Sequence, residues 1–133
     1  MIEWSDSLSV NVTAFDNEHR KLIDIINDLN DAMKEGKSNV VMGEIISRLI
    51  AYTGKHFKSE EQCFAQYGYP DAEAHRKEHE ELVKKVVEIQ ERFNSGQMAL
   101  SIEIMNFLRD WLRSHIKKSD KAYTAFFNDK GLT

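Results

Sequence analysis

Residues 75–79 read HRKEH, and where those two histidines point decides how the chain folds. Four residues apart on a helix, His75 and His79 lie about 40° apart around its axis, because a turn takes 3.6 residues, so both project from one face. The apolar residues nearby keep the same period: Ala72, Leu82, Val86, Ile89 and Phe93 share one stripe with the two histidines. A polar pair inside a core-facing stripe is either hydrogen-bonded within the core or coordinating a buried metal. As a string, HRKEH also fits the H-x-x-E-H signature of one class of zinc proteases, with His75 and His79 as ligands and Glu78 as general base.

Working outward, Pro70 opens this segment at or near a first turn, where a missing N–H does no harm, and NSG at 94–96 closes it. Upstream, a helix-length segment runs from about Asp16 to Gly36 with Phe15, His19, Leu22, Ile23, Ile26 and Met33 on its stripe. A second runs from about Ser38 to Tyr67 and stops at Gly68; its stripe is Met42, Ile45, Leu49, Tyr52, His56, Glu60, Cys63 and Tyr67. Downstream, Ile104, Leu108, Trp111, Leu112 and His115 mark a fourth helix, followed by a short C-terminal helix carrying Tyr123, Phe126 and Phe127. Short connections between helices of similar length make neighbours antiparallel. The expected fold is therefore all-α, an antiparallel up-down-up-down four-helix bundle. Trp4, Leu8, Val10 and Val12 lack a helical period, so residues 1–14 are expected as an extended N-terminal arm over the bundle. One domain then spans 1–133, with the arm at 1–14 and the bundle and tail at 15–133.

Composition narrows the function. A length of 133 residues suits one domain with its own core, and the net charge of −4 gives no basic footprint for nucleic acid. No stretch approaches the roughly 18 apolar residues of a membrane span, and the start has no basic n-region, so the expectation is a soluble cytoplasmic chain with no membrane partner. The single cysteine, Cys63, cannot form an internal disulfide. Neither repeats nor low-complexity segments interrupt the pattern.

All five histidines, His19, His56, His75, His79 and His115, fall inside the apolar stripes, drawn from four helices. Glu60 shares the stripe of His56, and no Lys or Arg stands near that level to neutralise it. A buried carboxylate without a partner costs several kcal/mol even after relaxation, so this one calls for a proton, an ion pair or a coordinated cation. A shared metal site explains the histidines and Glu60 together. The zinc-protease reading leaves His19, His56, His115 and Glu60 unused, and it makes Glu78 catalytic where its position suggests a solvated flank. The ferritin-like di-iron pattern fails as well, because no Glu stands three residues before any histidine.

His19 in DNEHRKL, His56 and Glu60 in HFKSEE, His75 and His79 in HRKEH, and His115 and Asp120 in WLRSHIKKSD together resemble the seven-ligand pattern of hemerythrins. Within that family the chain looks like the bacteriohemerythrins. The similarity extends to the arm EWSDSLSVNV, the GYPDAEAH turn and the WL before the last histidine. Cys63 is a small departure, standing where many relatives carry methionine.

The resemblance implies two iron ions with a bridging oxo or hydroxo group. His75, His79 and His115 would hold one, His19 and His56 the other, and Glu60 and Asp120 would bridge them. Five imidazole nitrogens, two bridging carboxylates and one bridging hydroxide leave a single open position on two octahedral metals, on the His19/His56 side. It implies reversible O2 binding for carriage, storage or sensing by a monomer that is not an enzyme, with small anions such as azide binding the oxidised form. The alternative on the same scaffold is a di-iron oxidase or a peroxide- or nitric-oxide-handling protein. Expected walls of a dry O2 pocket are Leu22, Phe57, Trp111, Leu112 and Ile116. For Asp120 to join His115, five residues earlier, the helix must bulge or end near Lys117 to Ser119, because an ideal α-helix would aim it about 140° away.

Overall fold

The computed structural model describes residues 2–97 and 99–133; Met1 of the expected arm lies outside them. The chain forms four main helices, α1 (Thr13–Lys34), α2 (Asn39–Tyr67), α3 (Ala72–Asn94) and α4 (Ile102–Ser114). A π-helical turn, His115–Asp120, continues α4 and leads through a 3-10 turn, Lys121–Tyr123, into the short α5, Thr124–Asp129. Among the described residues there is no strand. The all-α four-helix bundle is the fold anticipated above.

Helix ends follow their capping chemistry. The hydroxyl of Ser38 accepts from the Val41 N–H at 3.3 Å, and that of Ser101 accepts from the Ile104 N–H at 3.3 Å, each filling an orphan donor of a first turn. Asp16, in the first turn of α1, accepts from the Val10 N–H at 2.8 Å and the Ser9 hydroxyl at 2.6 Å, fixing the angle at which the arm meets the helix. α2 stops at Gly68, whose φ of 71° is left-handed and strains any residue bearing a Cβ. Pro70 lies in the turn before α3 rather than inside it. The Ala72 N–H reaches back to the Tyr69 carbonyl at 3.3 Å, and helical bonding begins with the His75 N–H on the Asp71 carbonyl at 3.0 Å.

Packing of α1 on α2, α2 on α3 and α1 on α4 buries the four stripes in one core. Ile26, Leu29, Ile46, Leu49, Met105 and Leu108 belong to its apolar part. Phe64, Tyr69, Tyr123 and Phe127 close the side of the histidine layer where α5 docks, with Phe64 and Phe127 stacked at 5.9 Å. The arm is less extended than expected, because Asp6–Leu8 form a 3-10 turn. It nevertheless packs as foreseen, burying Ile2, Leu8, Val10 and Val12. Asn27 ties its start to α1 by accepting from the Ile2 N–H at 3.1 Å and donating to the Ile2 carbonyl at 2.8 Å. Thr124 donates to the Val10 carbonyl at 2.7 Å, joining the arm to α5. No helix among the described residues is long and apolar enough to cross a membrane.

Candidate metal centre

The seven residues singled out in the sequence converge in the middle of the bundle, none of them more than 4% exposed. They form two overlapping groups, Glu60, His75, His79, His115 and Asp120 on one side and His19, His56, Glu60 and Asp120 on the other. Within each group the ligand-capable atoms lie within 4.8 Å of one another. Glu60 and Asp120 belong to both. One Glu60 oxygen lies 3.5 Å from Nε2 of His56 and 3.2 Å from Nε2 of His79, so it spans the two sides. The oxygens of Asp120 divide the same way: one is 2.9 Å from His75 and 3.0 Å from His115, the other 2.9 Å from His19.

Asp120 reaches this position through the π-helical turn. With about 4.4 residues per turn, five residues bring a side chain to within about 50° of its starting direction. The segment that closes this turn, His115–Asp120, is the stretch in which the sequence demanded a bulge. Asp120 is fully buried.

The family model for the hemerythrin HHE cation binding domain matches residues 10–127. The chain belongs to the hemerythrin family. Similar members include a bacteriohemerythrin of Stenotrophomonas maltophilia, 34% identical over 92% of this chain and 79% of that protein. A bacteriohemerythrin of Methylococcus capsulatus is 35% identical over 92% of this chain and 94% of that protein. A crystal structure of wild-type hemerythrin superposes with a TM-score of 0.90 at 34% identity, covering 94% of this chain and 96% of that one.

The non-haem di-iron centre implied by the hemerythrin family can be tested against the geometry of the donors. Nε2 of His115 lies 3.1 Å from Nε2 of His75 and 3.2 Å from Nε2 of His79. Imidazole–metal bonds of about 2.1 Å put neighbouring donors about 3.0 Å apart on an octahedron and about 3.4 Å apart on a tetrahedron, so the two edges fall in the span of metal-bound nitrogens, the His75 edge nearer the octahedral value. The nitrogens converge on a common point. Nδ1 of His79 faces Glu61 at 3.0 Å and Nδ1 of His115 faces Glu78 at 3.3 Å, so each ring has an outward carboxylate to receive its proton. With both rings neutral in this way, the two Nε2 lone pairs would point at each other, which repels unless a proton or a metal cation sits between them. Both Asp120 oxygens, one Glu60 oxygen, both His19 nitrogens and Nε2 of His56 are buried without a hydrogen-bond partner, although His19 and Asp120 approach to 2.9 Å. No Lys or Arg among the described residues pairs with either carboxylate. The donor set fits a cationic pair.

Sequence reasoning missed the outer layer of the site. Glu18 accepts from Nδ1 of His56 at 2.7 Å, Glu61 serves His79, and Glu78 serves His115. Glu78, expected as a solvated flank, also accepts from the Ser119 hydroxyl at 2.7 Å. The imidazole of His115 separates it from the donor cluster, so it faces no metal position as a general base. Tyr123 is the other omission: fully buried, its phenol donates to the second Glu60 oxygen at 2.5 Å. Burial and the charges of Glu60 and Asp120 push that phenol well above its ordinary pKa.

Beside the cluster lies a small apolar cavity whose free volume of about 20 Å³ admits roughly one water-sized sphere. Leu22, Phe57, Trp111 and Leu112 of the expected pocket line it; Ile116 is buried but stands outside its lining. The cavity continues away from the site past Ile26, Leu49, Thr53 and Leu108. Phe57 stacks on His79 at 3.7 Å and Trp111 on His115 at 4.5 Å, so aromatic faces cover two of the imidazoles. Cys63 is half-buried and outside the donor groups.

Proposed function

We propose that this chain binds O2 reversibly at a carboxylate-bridged pair of iron ions held by His19, His56, Glu60, His75, His79, His115 and Asp120. The observation that carries this reading is the asymmetry of the two donor groups, three histidines against two with both carboxylates shared, beside a cavity lined almost wholly by apolar side chains. When bound, the iron pair supplies two electrons and the open coordination position that O2 requires. The protein does the rest. His19 and His56 offer one imidazole fewer than the opposite side, so metal held there would be left with the free position. Glu18, Glu61 and Glu78 hold the ring protons of His56, His79 and His115 outward, fixing each Nε2 as a donor. Leu22, Phe57, Trp111 and Leu112 keep water from the open side.

The alternative, a di-iron oxidase or peroxide- or nitric-oxide-handling protein, needs a proton source close to the ligand. Tyr123 is the nearest phenol, and its raised pKa makes it a weaker acid than an ordinary tyrosine while it holds Glu60. That favours binding over turnover. The test is metal analysis with optical spectra of the reduced protein carried through cycles of O2 and argon. Two irons per chain, a spectrum that returns under argon without released peroxide, and azide binding to the oxidised form are expected. One zinc and no iron would overturn the reading, and loss of the reduced form with peroxide release in the first cycle would favour the oxidase.

A further inference from the structure

Gly54 sits in the interior of α2, where glycine weakens a helix relative to alanine. A Cβ at this position would meet nothing within 4 Å, and its φ is not left-handed, so neither close packing nor backbone conformation requires glycine here. What Gly54 does is line a groove of about 400 Å³ between α2 and α3, whose other walls include Phe57, Lys58, Glu61, His79 and Val83. Phe57 also lines the inner apolar cavity beside the donor cluster. Phe57 therefore borders solvent-facing and inner space alike.

We propose that the α2/α3 groove is the port through which a neutral diatomic gas reaches the site, with Phe57 as its gate and Gly54 as the space into which the gate swings. The proposal rests on the O2-binding reading. Helical side chains lean toward the N-terminus over the preceding turn, and Gly54 lies one turn before Phe57. The missing side chain leaves the ring room to move. In the closed position the ring stacks on His79 with an interplanar angle of 4°. The charges nearby suit an uncharged passenger: Glu61 is engaged by Nδ1 of His79 and Glu80 by Arg76 at 3.1 Å, while Lys58 and Lys84 at the groove disfavour cations. Past Phe57 the inner walls are apolar apart from Thr53.

A gate has a kinetic signature that a pocket wall lacks. It raises one barrier shared by ingress and escape, so narrowing it slows both by the same factor and leaves the equilibrium affinity unchanged. Gly54→Leu fills the swing space and Gly54→Ala serves as the unobstructed control. In the iron-loaded protein Gly54→Leu should slow O2 association and dissociation alike, by roughly fivefold, with unchanged Kd and iron content. Gly54→Ala should match wild type. Trp4→Phe leaves Trp111 as the sole tryptophan, so O2 quenching of its emission in the zinc-substituted protein reports gas access without iron chemistry. That quenching should fall by a similar factor in Gly54→Leu. Should Gly54→Leu fold poorly, Val83→Trp obstructs the same groove from α3. Unchanged rates and quenching with iron retained, or a changed Kd at unchanged association rate, would overturn the gate. Absence of reversible O2 binding would defeat the function proposed above, while the quenching experiment would still decide the port.

Discussion

Metal uptake should be a proton exchange, and its pH dependence tests how the seven donors are held. Without metal, burial lowers the pKa of His115, but the charges of Asp120, 3.0 Å away, Glu60 and Glu78 outweigh burial and raise it from 6.5 to about 9. His56 is raised in the same way, against burial, by Glu60, Glu18 and Asp120. Asp120, despite burial, is held well below the usual carboxylate range, chiefly by His115. At pH 7 the metal-free core therefore contains imidazolium–carboxylate pairs, and coordination must expel those protons. Displacing a proton from a group of pKa about 9 at pH 7 costs about 3 kcal/mol, roughly a hundredfold in apparent affinity. Cobalt(II) affinity, measured by chelator competition and corrected for chelator protonation, should rise about tenfold per pH unit between pH 7 and 8.5 for His115 alone. His56 would add to the slope at pH values below its own raised pKa. The signs for stability are opposite in the two forms. A folded pKa above the unfolded value of 6.5 makes His115 stabilise the metal-free protein fully below pH 6.5, and this stabilisation is lost as pH rises through about 9. Asp120 contributes above the usual carboxylate range, and its contribution is lost on acidification through its depressed pKa. The melting temperature of the metal-free protein should fall from pH 6.5 to 9.5, while that of the loaded protein at fixed metal concentration should rise over the same window. A flat affinity between pH 7 and 8.5, without proton release on loading, would refute the argument.

Glu60→Ala removes a carboxylate common to both donor groups and should lower iron content below one per chain by metal analysis; retention of two irons with an unaltered spectrum would shift the bridging role to Glu61. Trp111→Ala removes no donor and should keep two irons, yet by uncovering His115 it should accelerate oxidation of the O2-loaded protein about tenfold, equivalent to ~1.4 kcal/mol. An unchanged decay rate, followed optically at several azide concentrations, would leave Trp111 as core packing. Tyr123→Phe deletes a buried phenol that donates to a carboxylate and should destabilise the protein by about 1.5–3 kcal/mol in denaturant titration. A loss under about 0.5 kcal/mol would mean that Glu60 is held by its other neighbours alone.

The inner donors were legible because a helix repeats its face: His19, His56, Glu60, His75, His79 and His115 interrupt apolar stripes, and a burial pattern broken by charge is visible in one dimension. Asp120 was legible only as a demand for irregular backbone. The roles of Glu18, Glu61 and Glu78 were not legible because each serves an imidazole on another helix. Glu18 precedes His19 yet serves His56, Glu61 follows Glu60 yet serves His79, and Glu78 precedes His79 yet serves His115. Such crossings depend on helix rotation and separation, which no single helix encodes. In the sequence Tyr123 is one of three aromatics of the short C-terminal helix, and its hydroxyl acquires meaning where that segment folds back toward Glu60. The groove beside Gly54 is equally a property of packing. Its one trace in the sequence is a glycine in a helix that nothing nearby explains.

The π-helical turn sets a condition for anyone transplanting this centre into a designed scaffold. His56 and Glu60, four residues apart, would survive transfer to any straight, regular helix of sufficient length. His115 and Asp120 would not: on an idealised backbone one of them faces solvent. A grafted version must either reproduce the widened turn or delete one residue between the two and replace the aspartate by the longer glutamate. The second choice would make the fourth helix a copy of the second, and it would change the angle at which the aromatic tail folds back over the site.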